Sequence, residues 1–183
     1  MTEHAPARTT LDPVRPPLAG DEVALLTAFV DQHRAALLAK AAGLDHAQLH
    51  RALPPTTMTL GGMLKHLAFV EQWWCREVLH GAPPRPPWDG VDWTADDDWD
   101  WHSAVHDEPD ALRALYVAAV EDSRAAVAEV LDDPDGAGLD HLAVRERHGA
   151  RPSLRWVLLH LLEEYAQHLG HADLLREAVD AGA

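Results

Sequence analysis

The chain has 183 residues, enough for one domain with a substantial hydrophobic core. Thirty Asp and Glu against 15 Lys and Arg give a formal charge of -15, and a surface this acidic repels phosphate backbones and anionic lipid headgroups. Cys75 is the one cysteine, so no intrachain disulfide forms; with no signal-like or membrane-spanning apolar run, the expected setting is cytoplasmic, without nucleic-acid or membrane partners.

Residues 1–19 carry Pro6, Pro13, Pro16 and Pro17 and read as a flexible tail ahead of a single domain over 20–183. Asp21 is placed to cap a first helix that runs to about Ala42 and stops at Gly43. Its inward stripe is Leu26, Val30, His33 and Leu37. A connector with Pro54 and Pro55 follows, then a second helix from about Thr59 to His80, ended by Gly81 and two prolines. Residues 81–106 read as a long loop in which tryptophan alternates with aspartate, from Trp88 to Trp101. The expectation is a covering loop whose tryptophans anchor in the core while its aspartates stay solvated, with a lid over the bundle end as the alternative. A third helix spans Pro109 to Leu131, and a fourth runs from Ser153 to about Val179. No stretch alternates as a strand does, so the fold class is all-α, a four-helix bundle.

The last helix carries His160, Glu164, His168 and His171 at spacings of four, four and three, which share one helix face. With Glu164 at zero and 100° per residue, the apolar arc runs from about 20° to 160°, so His168 lies inside it and Glu164 at its border. A carboxylate at such a border is costly unless paired, and Arg155 is on the opposite side. On the second helix, Met63, Val70, Trp73 and Glu77 lie within about 60° of His66, so it faces inward, while Cys75 projects the other way. One His from the second helix and a Glu-x-x-x-His pair from the fourth make three metal ligands, leaving a coordination position open. Spacing alone does not choose among the four residues of the row. Cys75 itself reads as inert, and His33 as a core histidine.

The run Thr59-Leu60-Gly61-Gly62-Met63-Leu64-Lys65-His66-Leu67-Ala68-Phe69-Val70-Glu71 resembles the second helix of DinB-like proteins, and Glu163-Glu164-Tyr165-Ala166-Gln167-His168-Leu169-Gly170-His171-Ala172-Asp173 resembles their last long helix. The resemblance implies a divalent metal on His66, Glu164 and His168, with zinc as the leading ion and nickel or manganese as alternatives. Glu164 stands where many members have a first His, which is similar to the mycothiol-dependent maleylpyruvate isomerases. His171 stands where Gln is usual, which makes it a residue beside the ligands or a proton carrier; His160, read as lying on the solvent side, is the alternative proton carrier. The resemblance further implies a homodimer that uses a low-molecular-weight thiol such as mycothiol to transfer or isomerise a small electrophilic substrate. A metal-dependent hydrolase and a non-catalytic metal-binding stress-response bundle are the alternatives.

Overall fold

The computed structural model describes residues 8–182, and among these it is all-helical, with two isolated bridges and no strand. The elements are α1 (Glu22–Lys40), α2 (His46–Leu49), α3 (Leu60–Gln72), α4 (Trp99–Ser103), α5 (Pro109–Leu131) and α6 (Leu154–Asp180). Their starts follow from local chemistry. Asp21, Thr59 and Ser153 each accept a hydrogen bond from a first-turn amide, of Ala24, Gly62 and Trp156 respectively. Pro109 opens α5, where a missing N–H costs nothing. The short helix α2, with a capping box between Asp45 and Gln48, is an addition to the sequence reading. Among the described residues no helix is long and apolar enough to cross a membrane.

Helix α3 sits at the centre, packed on α5 and α6, and α1 packs on α6. Every α3 residue except His66 and Phe69 is buried. From Trp73 to Val78 the helix continues as a π-helix. Cys75 is fully buried beside Glu71 and Ser123, on the side away from His66 that the helical projection gives it. Burial pushes its thiol up to about 12, reinforced by Glu71, so it holds its proton at neutral pH.

The tail expected over 1–19 falls partly outside the described residues, at 1–7. Its described part forms no helix, but Leu11 packs on the core and Arg8 pairs with Glu121 of α5 at 2.8 Å.

The α1 stripe differs from the expected one in a way that matters. Arg34, not His33, is buried; His33 is half-buried, with Nδ1 2.8 Å from the Phe29 carbonyl oxygen. Arg34 makes a two-pronged pair with Glu71 of α3, Nε to Oε1 at 2.7 Å and Nη2 to Oε2 at 2.6 Å. The Tyr165 hydroxyl of α6 donates to the same Oε1 at 2.7 Å. Tyr116 of α5 reaches the Tyr165 hydroxyl at 2.9 Å, and Ser123 donates to the Glu71 carbonyl at 3.1 Å. Burial opposes the Arg34 charge, but Glu71 outweighs it and holds the guanidinium well above its ordinary value. One network therefore ties α1, α3, α5 and α6 together.

Removing one partner strands the other charge in the core. Glu71→Ala should cost about 3–5 kcal/mol in denaturant unfolding, and Arg34→Met with Glu71→Leu should cost less than the single change. A single-variant loss below about 1 kcal/mol would place the pair among weak surface bridges.

Candidate metal centre

His66 projects from the middle of α3, and Glu164 and His168 project from adjacent turns of α6. The structure brings these three together: one ligand atom of each lies within 4.8 Å of the others. Glu164 Oε2 is 3.6 Å from His168 Nε2 and 4.0 Å from His66 Nε2. Bonds of about 2.1 Å in tetrahedral geometry put donor atoms roughly 3.4 Å apart, so small rotamer shifts suffice to close the set on one ion. Among the described residues no Lys or Arg pairs with Glu164; its neighbours are His66, His160 and His168. Two imidazole nitrogens and an unneutralised carboxylate are a donor set that fits a divalent cation.

The electrostatics follow from these contacts. The nearby imidazoles of His168 and then His66 hold the Glu164 carboxyl well below the usual carboxylate range, against the opposing effect of burial. Burial opposes a charge on His66, but the hydrogen bond to Asp100 and the nearby Glu164 carboxylate outweigh it and raise its pKa. His66 Nδ1 stands 2.6 Å from Asp100 Oδ2. The proton is thereby held on Nδ1, and the Nε2 lone pair is left facing Glu164.

Asp100 is the residue beside this cluster that the sequence reading missed, and it corrects that reading. The stretch over 81–106 ends in α4 and a 3-10 turn (Ala104–His106), and Asp100 on α4 is only 3 % exposed. Its neighbours Asp97 and Asp98 are exposed, as expected of the whole run. The signal was present in the alternation Trp99-Asp100-Trp101: a short helix that packs two partly buried tryptophans against the core carries the residue between them toward the same surface. Trp101 stacks on the His66 ring with centroids 4.6 Å apart and lies 5.4 Å from His168. Gly62 makes this possible, because a Cβ there would come within 2.8 Å of the indole.

The other two members of the row diverge. His160 is half-buried and not on the solvent side; it stacks on Trp156 (4.8 Å), meets Trp74 edge-on (4.7 Å), and holds Nε2 3.4 Å from Glu164 Oε1. His171 is exposed, with Nδ1 3.3 Å from the Gln167 carbonyl oxygen. It shares the angular face of Glu164 but sits seven residues on, about 10 Å along the axis. Angle without rise had placed it beside the centre.

A family model described as mycothiol-S-transferase matches residues 25–181. The chain belongs to this DinB-like family. The match covers most of α1 and all of α2 through α6, and so contains His66, Glu164, His168 and Asp100 of this mycothiol-S-transferase family member. No curated protein matches the chain.

A carboxylate whose folded pKa lies below its unfolded value, about 4.3, stabilises fully above that value and loses its contribution as pH falls toward the folded one. Chelator-treated wild type should therefore lose unfolding free energy more steeply below about pH 4 than Glu164→Gln does. Parallel pH profiles for the two proteins would contradict the contacts assigned to Glu164.

Proposed function

We propose that the protein is a divalent-metal-dependent S-transferase that joins the sulfur of mycothiol to a small electrophile. Membership of the mycothiol-S-transferase family supports the reaction class. The observation that carries the metal is the convergence of His66 Nε2, Glu164 Oε2 and His168 Nε2, with no basic side chain beside the carboxylate among the described residues. Zinc is the favoured ion, with nickel and manganese compatible with the same donors. The four long helices are read as a DinB-like four-helix bundle in a single domain over 20–183, working in the cytoplasm as a homodimer.

Held by His66, Glu164 and His168, a divalent cation would supply Lewis acidity that lowers the pKa of a thiol. The chain does the rest. Asp100 keeps the His66 proton on Nδ1, so Nε2 stays available. Glu164 remains ionised across the physiological range and supplies one negative charge to the set. Trp101 covers the His66 and His168 rings and excludes water from that side. His160 Nε2, outside the ligand set and 3.4 Å from Glu164 Oε1, takes up the proton that the thiol loses. The sulfur lone pair forms the new bond to the electrophilic carbon, and the leaving group departs with the electrons of the bond it breaks. In this scheme the proton carrier is His160, the alternative to His171.

Zinc-loaded protein should conjugate mycothiol to an activated halide, and a chelator should abolish the reaction. His66→Ala with His168→Ala should reduce the rate by more than about 100-fold, since the ion's charge is worth several kcal/mol in the transition state. Equal conjugation by that variant, or by chelated wild type, would overturn the proposal.

A further inference from the structure

The aspartate-rich stretch does something its composition does not suggest. Of the aspartates from Asp92 to Asp100, only Asp100 is buried. Anchors on both sides drive it there. Trp88 is 2 % exposed, and both it and Trp93 pack on Phe69, with ring centroids 5.3 and 4.6 Å away. Trp99 lies 4.6 Å from the Lys65 ammonium, which pairs with Asp107 at 2.6 Å. Trp101 stacks on His66. A buried carboxylate is costly without a partner, and the hydrogen bond that Asp100 makes among the described residues is the one to His66 Nδ1. Phe69 and His66 are the two residues of α3 that are only half-buried, and aromatic side chains of residues 88–101 pack on both.

We propose that Asp100 is a positioning residue for the metal centre: it fixes the ring and proton of His66, so that docking of residues 88–106 and binding of a divalent cation are coupled. This rests on the ligand set proposed above. The segment is then a working part of the centre and not a cover. Coupling is reciprocal: whatever docking adds to cation affinity, the cation must return as stability of the docked segment. An aspartate that merely filled space would show neither effect.

The test is zinc affinity, read by competition with a chromophoric chelator, for wild type, Asp100→Asn, Asp100→Ala and His66→Ala, together with amide hydrogen exchange of residues 88–106 with and without zinc. Asp100→Asn keeps the shape and an acceptor oxygen but loses the charge. Wild type should bind most tightly, Asp100→Asn more weakly and Asp100→Ala weakest, with the loss for alanine about 10–100-fold. Zinc should slow exchange over 88–106 in wild type and do so less in either Asp100 variant. Affinities within about twofold of wild type for both Asp100 variants, while His66→Ala loses zinc, would overturn the positioning role and leave the ligand set standing. Wild-type affinity in His66→Ala would remove the ligand set, and the positioning role with it. If Asp100→Ala does not fold, the isosteric Asn variant decides both questions.

Discussion

The arrangement of this molecule depends on a charged pair placed where charges are most costly. Glu71 is fully buried in α3 and is held by Arg34 of α1, by the Tyr165 hydroxyl of α6 and, through its carbonyl, by Ser123 of α5. Apolar packing tolerates sliding of one helix on another far better than a buried ionic hydrogen bond does, because displacement leaves the carboxylate without partners. Tyr165 is the neighbour of Glu164, and Glu71 lies five residues beyond His66 on the same helix. The contact that sets the register of α6 against α3 is therefore made just over a turn from the place where His66 meets Glu164 and His168.

The opposite face of α3 is completed by chain that contributes little to the helical frame. Trp88, Trp93, Trp99 and Trp101 pack along it, and the helix presents Phe69, Lys65, Gly62 and His66 to receive them. Two constraints thus meet at His66: the helix fixes its Cα through the core, and the Trp/Asp segment fixes its ring through Trp101 and Asp100. Glu164 and His168 are held differently, by their spacing on one long helix. The centre combines a preformed pair on α6 with a third donor whose orientation is set from outside the helix that carries it.

Much of this was legible in the sequence, for reasons that are local. Asp21, Thr59, Pro109 and Ser153 announce their helices through capping chemistry, and the structure starts helices at those points. His66, Glu164 and His168 were legible because helical periodicity and the resemblance to DinB-like proteins pointed to the same positions. What escaped was long-range. Arg34 was passed over for His33 because an arginine reads as a surface residue until Glu71 is placed opposite it. Asp100 was hidden in a run of aspartates, since nothing in the composition marks one of them for burial. His171 shows the limit of a projection that keeps angle and discards distance along the axis.

The claim on which the account rests is that one divalent cation binds between α3 and α6 on these three side chains. Anomalous diffraction at the zinc edge from crystals of the zinc-loaded protein tests it without reference to turnover. The account predicts one strong anomalous peak within bonding distance, about 2.0–2.2 Å, of His66 Nε2, a Glu164 oxygen and His168 Nε2. A site elsewhere on the acidic surface, or none at these residues, would contradict it.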